Sequence, residues 1–228
     1  MKSLKVLILS VLMLFSFLKS NGQTVNWNTI ENTNHIINVG VSWDYSLSYS
    51  AGYGYKFNTK FPILVNGNFS IPFGHNLLDD FKIKIGGQIL ILDNSNFKTS
   101  ISLNGIYRRY ENPLVRLQNF GSELIGTFGY YKPKWFIAGE IGFDKAIVTH
   151  FKHSQSFNDN IYENVKDGWY EPATGGNFLY GFQTGISFES TDLILTVGKV
   201  ITQDFRSTPL IPFYLTLGFN YKLNSSSD

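Results

Sequence analysis

The sequence contains no cysteine. That excludes disulfides, thiol chemistry and the lipid attachment of a bacterial lipoprotein. No run of 18 apolar residues occurs anywhere in the 228, so no segment is long enough to cross a bilayer as a helix. Charge is scarce, at 16% of residues, with 19 basic against 17 acidic side chains. The small basic excess sits at the start of the chain. Lys2, Lys5 and Lys19 fall within the first 22 residues, which hold no acid. Nineteen basic residues less these three leave 16 against 17, a net charge of −1 over the remaining 206. Nothing electrostatic recommends a nucleic acid partner.

Those first 22 residues read as a secretory signal. Lys2 and Lys5 form a positive start, and Val6 to Leu18 an apolar stretch of 13 residues, too short to span a membrane. Cleavage after Gly22 would leave Gln23 as the mature N-terminus. The rest, 23–228, is the length of one domain.

What is present is alternation. From Ile37 to Phe57 every odd position is apolar and mostly large, and every even position is polar or glycine. Strict period two means β-structure with one apolar and one polar face. The polar face is Gly and Ser rather than Lys and Glu, which suits a cramped interior. The apolar face is rich in aromatics, which suits lipid. At about 3.3 Å per residue, 21 residues would reach nearly ~70 Å, more than twice the hydrocarbon thickness. The stretch is therefore two strands folded back near Ser46–Ser48.

Similar segments follow, and ten strands are expected at 36–45, 49–58, 61–71, 81–92, 97–109, 120–131, 135–148, 178–189, 193–201 and 213–223. Tight polar turns at 58–60, 93–96, 132–134 and 190–192 alternate with longer links at 72–80, 110–119, 149–177 and 202–212. Transmembrane β-barrels show this asymmetry of short periplasmic turns and longer outer loops, and an even count puts both termini in the periplasm. Strands of 11–13 residues exceed the usual soluble length of about 5–6. Aromatics gather near both ends of the apolar face, as two interfacial girdles would. The competing expectation is a soluble barrel or sandwich with the apolar face turned inward. A chain without membrane helices that crosses lipid must close on itself, because only closure satisfies every strand hydrogen bond.

Over residues 36–223 these patterns resemble the bacterial outer-membrane β-barrel proteins of the eight-to-ten-strand class. The resemblance implies an all-β, transmembrane, up-and-down antiparallel barrel of ten strands, with eight to twelve as bounds. It implies a Gram-negative type of outer membrane, and as partners outer-membrane lipid, lipopolysaccharide and the barrel-assembly machinery. That machinery reads a terminal aromatic. Here Tyr221 and Leu223 precede a tail, 224–228, so the signal falls on the Phe219/Tyr221 end of the last strand.

Seven charges fall on the polar face toward the long-link end: Asp44, Lys82, Lys84, Arg108, Glu123, Glu140 and Asp144. Charges in a narrow barrel must pair or stay hydrated, since isolated burial is costly. They are expected to form a network that fills the lumen, with the lining of a narrow solute path as the alternative. Arg109, Lys145 and Lys199 end the apolar face of upward strands. There they could meet lipopolysaccharide phosphates at about 1 kcal/mol each, or simply snorkel into water.

Partner-facing function is expected in the outer links, on Asp79 and Asp80 in one and on His150, His153 and Trp169 in another. His150 and His153 make half a metal site at most, so no metal, cofactor or catalytic residue is assigned. Ten-stranded outer-membrane proteases of the omptin type carry Asp pairs and an Asp–His pair at the rim. The placement of these residues is similar, but Asp144 and His150 lack the tight Asp-x-His spacing. The expected role is a non-enzymatic envelope component that binds a surface ligand. A narrow, porin-like channel is the first alternative and a rim-located hydrolase the second.

Overall fold

The computed structural model describes residues 24–31, 33–74, 78–163, 165–172 and 175–224. The expected export signal and its cleavage point lie outside the described residues. Ten long strands appear where the alternation places them. They are β1 (Thr33–Trp43), β2 (Leu47–Phe57), β3 (Ile63–Pro72), β4 (Asp80–Asn94), β5 (Phe97–Glu111) and β6 (Val115–Lys132). After β7 (Trp135–His153) and a short strand β8 (Gly168–Tyr170) come β9 (Gly176–Ser187), β10 (Thr191–Thr202) and β11 (Phe213–Asn224). A six-residue helix, α1 (Gln155–Asn160), precedes β8 and is capped by the Ser154 hydroxyl, which accepts from the Phe157 N–H.

Each long strand pairs antiparallel with the next, β7 with β9 across the β8 insertion, and β11 returns to β1. The closing seam runs from His35 opposite Leu223 to Trp43 opposite Leu215. The result is an up-and-down barrel of ten strands with no free edge. Among the described residues no helix is long and apolar enough to cross a membrane.

The alternation sorts the two faces in the opposite sense to a water-soluble barrel. Ile141 is 71% exposed on the outside, and Ser50 is 0% exposed on the inside. Ile85, Leu103, Phe182 and Leu217 also face outward, while Asn38, Ser42, Thr127 and Asn220 are buried within. An apolar surface this continuous exceeds the few hundred Å² that soluble monomers expose, and lipid is the solvent that matches it. The soluble alternative, which needed the apolar face inward, is thereby overturned.

At the long-link end the girdle forms an unbroken arc from β3 to β8. Ring contacts pass from Phe69 to Phe81, Tyr107 and Phe120 with centroid separations of 5.5, 5.8 and 5.0 Å, and on to Trp169 at 5.9 Å. At the other end Phe97 meets Tyr130 edge-on at 5.1 Å, and Tyr130 meets Trp135 at a tilt at 5.8 Å.

Two links differ from expectation. The 110–119 segment is mostly strand, because β5 runs to Glu111 and β6 starts at Val115. The connection is Asn112–Leu114, where the Asn112 side chain accepts from two backbone N–H groups. The 149–177 segment is likewise not a plain loop. β7 continues to His153, and β8 pairs back along Thr149–Phe151. Nineteen residues of β7 extend to about 60 Å, more than a tilted strand needs to cross the hydrocarbon. The wall from β5 to β8 therefore rises above the rest of the rim.

The closed end of the barrel holds an apolar core. Val25, Trp27 and Ile30, from the segment ahead of β1, are buried together with the inward Ile36, Leu64, Leu90, Phe136 and Ala138. The same end holds a fully buried ion pair, Lys222 Nζ to Asp192 Oδ1 at 2.8 Å, and the ammonium also donates to the Phe188 carbonyl. Replacing Lys222 by Ala leaves a buried carboxylate with no cation. The variant is expected to lose about 3–5 kcal/mol of stability, and denaturant unfolding in detergent, followed by the heat-dependent gel shift, measures it. Replacing both partners by Leu should recover most of that loss.

Candidate functional site in the lumen

Period two on β4 turns Lys82 and Lys84 inward, and the same rule places Asn104 of β5, Glu123 of β6 and Glu140 of β7 inside. Register then brings them together. Asn104 lies opposite Glu123, and Glu123 opposite Asp144. Lys84 Nζ sits 2.6 Å from Glu123 Oε2, and Asn104 Nδ2 donates to Glu123 Oε1 at 3.1 Å. Both oxygens of Glu123 are used.

Nearer the mouth, the link between β1 and β2 folds inward. Lys82 donates to Asp44, and the Tyr45 ring lies between the Lys82 ammonium at 4.3 Å and the Arg108 guanidinium at 4.2 Å. Arg108 in turn grips Asp80 through Nε and Nη2 at 3.3 and 3.2 Å. Lys82, Lys84 and Arg108 thus each meet a carboxylate. Glu140 and Asp144 are different. Glu140 accepts from Gln183 and from the Tyr214 hydroxyl, and Asp144 accepts from the Asn177 backbone N–H and side-chain amide at 3.1 and 2.8 Å. No cation lies within ion-pair distance of either among the described residues.

These side chains surround a cavity of about 480 Å³. It runs from Thr24 at the closed end, past Asn66, Gln88 and Thr196, to Tyr45 and the 209–211 loop at the mouth. Below it, residues 24–31 form a cork. Asn26 Nδ2 donates to the Lys132 carbonyl at 2.8 Å and to Ser187 Oγ at 2.9 Å, and Asn28 Nδ2 donates to the Tyr131 carbonyl at 2.6 Å. Lys56 reaches the Glu31 carbonyl and Asn220 the Thr24 carbonyl, at 2.6 and 2.7 Å.

The seven expected lumen charges all lie in this region, and Asp80, expected in an outer link, joins them through Arg108. Sequence reasoning passed over Tyr45, Asn104, Gln183, Tyr214 and the cork. Two signals pointed to them: an aromatic at the polar-face position 214, and the apolar trio Val25, Trp27 and Ile30 in a polar leader to β1.

The remaining candidates are scattered. Asp79 contributes its carbonyl to the Glu111 N–H. His150 and His153 stand three apart on extended β7, so their side chains point to opposite faces and do not form a half-site. The His150 ring packs on Trp169 at 4.8 Å, while His153 Nδ1 lies 2.9 Å from Asp167. The omptin-like grouping is not assembled: Asp80 is committed to Arg108 and His153 to Asp167. Arg109 shares Glu111 with Arg116, Lys199 is exposed, and Lys145 is exposed beside the cavity that it helps to line.

No family model and no curated protein matches the chain. Among solved structures it is similar to a KdgM porin, at 10% identity and a TM-score of 0.43, with 83% of this chain and 99% of that one covered. It is also similar to a KdgM porin in complex with disordered oligogalacturonate, at 9% identity and 0.42, with the same coverage. At TM-scores below 0.5 neither likeness bears on cargo or mechanism. The class rests on the fold itself, a small transmembrane β-barrel of the outer-membrane type.

The raised wall generates a pH prediction. Asp167 accepts the His153 backbone N–H at 2.8 Å as well as facing its ring, and these bonds hold its carboxyl below the usual carboxylate range. A depressed carboxyl stabilises above its ordinary pKa and loses that contribution as pH falls. Below about pH 4 the β7–β8 pairing should loosen, changing Trp169 fluorescence. Asp167→Asn should abolish the acid step, and Trp169→Phe identifies the signal.

Proposed function

We propose that this chain is an outer-membrane barrel whose lumen is a narrow path for small polar solutes, corked at the periplasmic end by residues 24–31. The observation that carries this reading is the cavity of about 480 Å³, lined by charged and amide side chains interleaved with apolar ones and closed below by a peptide segment rather than by the barrel wall. In this reading residues 1–22 direct export and are removed, and both termini face the periplasm. The short turns lie on that side and the raised β5–β8 wall faces outward. The exposed Lys145 and Lys199 sit at the level where lipopolysaccharide phosphates would meet them. The channel takes precedence over the surface-binding role because a solid polar network would leave no such cavity. The surface role keeps one supporting observation: Tyr162, Trp169 and Tyr170 are exposed on the raised wall.

Energetics make the cork displaceable. Burying Val25, Trp27 and Ile30 contributes about 5–9 kcal/mol, and five side-chain hydrogen bonds about 3–7 kcal/mol more. Ordering eight residues costs about 8–16 kcal/mol. The balance lies near zero, so the segment can leave without unfolding a wall that is held by its own backbone ladders.

In planar bilayers the wild-type protein should give sparse, brief openings. Trp27→Ser combined with Ile30→Asn should raise the open fraction at least about fivefold, since weakening the cork by about 1 kcal/mol or more shifts its equilibrium by that factor. Silence from both proteins, with the gel shift showing intact barrels, would exclude a conducting lumen.

A further inference from the structure

Between two polar rows of the lumen wall runs an apolar one. Register sets Ile125 of β6 opposite Gly142 of β7, Gly142 opposite Leu179 of β9, and Leu179 opposite Val200 of β10. Period two turns all four inward. Ile125, Leu179 and Val200 are only half-buried, so the surface they keep faces the cavity that they line. A Cβ at Gly142 would fall 2.8 Å from Ile125 Cγ1, so the Ile125 side chain leans across β7 and the stripe is continuous. Three strand spacings make it ~14 Å long. Asp144 and Asn177 flank it on the mouth side, and Thr127 and Glu140 on the other.

A second observation is aromatic. Tyr214 of β11 points inward and lies across Gly198 and Gly181, neither of which has room for a Cβ beneath it. Its hydroxyl donates to Glu140 on β7, which pins the ring against the wall just below the stripe. The ion pairs of Lys82 and Arg108 stand elsewhere, on β4, β5 and the β1–β2 link. Small-molecule sites are mostly apolar clefts of about 300–1,000 Å³ with a few placed polar groups, and this cavity of about 480 Å³ has that make-up. Apolar surface held against water is costly, and the apolar face of a solute removes that cost.

We infer that the lumen takes organic solutes with one flat apolar face, a ring above all, and hydrogen-bonding edges. The face lies on Leu179, Val200 and the Tyr214 ring, while the edges meet Asp144 and Asn177 on one side and Glu140 on the other. Ring contact and desolvation favour such a solute over one of equal size that is polar all round. The inference names a solute class for the path proposed above and rests on that reading. Glu140, Asp144 and Lys145 also line the cavity, so neutral probes are needed to read the stripe apart from their charges.

The probes are nicotinamide, a flat neutral ring with polar edges, and myo-inositol, a neutral ring of similar size with a hydroxyl on every carbon. In planar bilayers nicotinamide should half-block the KCl current of the Trp27→Ser/Ile30→Asn form at a concentration at least about fivefold below that of myo-inositol. Adding Leu179→Asn with Val200→Thr should bring the two within about twofold. Where that pair fails to give the folded gel band, Val200→Thr alone, nearly equal in shape, should narrow the gap. Equal block by both solutes before those changes, or a gap that the changes leave intact, overturns the inference while conduction stands. Absence of current in both the wild type and the Trp27→Ser/Ile30→Asn form removes conduction. Saturation-transfer NMR of the two solutes on the wild-type barrel in nanodiscs, corrected for empty discs, then decides occupancy. A nicotinamide signal that the Leu179→Asn/Val200→Thr barrel lacks supports the site without passage, and its absence from the wild type overturns the inference.

Discussion

Everything in this protein depends on the hydrogen-bond seam between β1 and β11. Backbone N–H and C=O groups facing hydrocarbon have no water to turn to, so a sheet in lipid is stable only when its first and last strands meet. That seam, Ile37 opposite Tyr221 through Val41 opposite Leu217, converts ten individually marginal strands into a wall without edges. It also defines an inside. Once the ring is closed, polar side chains that would be unremarkable on a soluble sheet become the lining of a confined space, and their partners are limited to one another.

Confinement explains the division of the interior into two zones. At the closed end the wall turns Ile36, Leu64, Leu90 and Phe136 inward against Val25, Trp27 and Ile30, a conventional apolar core inside an inside-out protein. Above it amide, hydroxyl and charged groups join Ile106, Ile125 and Leu179 in the lining, and a core of that composition cannot close up tightly without stranding polar atoms. The cavity lies at this boundary. The cork and the cavity are thus two consequences of one gradient of polarity along the barrel axis.

Much of this was legible in the residues. Period two is a local property, so the direction of Asn38, Lys84, Glu123 or Glu140 follows from the neighbours of each along its own strand. The inward apolar residues were also readable, in the doublets Ile36–Ile37, Leu64–Val65 and Phe136–Ile137, where both faces turn apolar near a tight turn. The heights of β5, β6 and β7 were not. Strand continuation past the membrane is decided by pairing with a neighbour, and Val115–Asn119 looks like a link until His153–Thr149 lies beside it. His150 and His153 invited a metal reading because spacing alone does not tell a loop from a strand, and the strand separates them.

Taken alone, the chain determined its environment: an outward apolar face, an inward face of small polar groups, and strands long enough to cross lipid. Those follow from local chemistry and length. Only the tertiary structure decided who meets whom. Asp44 reaches Lys82 across 38 positions, Tyr214 reaches Glu140 across 74, and Asn26 reaches Ser187 across 161. Such pairings depend on strand register and on ring closure, which no stretch of sequence contains by itself. For that reason the two unmatched carboxylates, and the segment that corks the path beneath them, became visible only in the folded barrel.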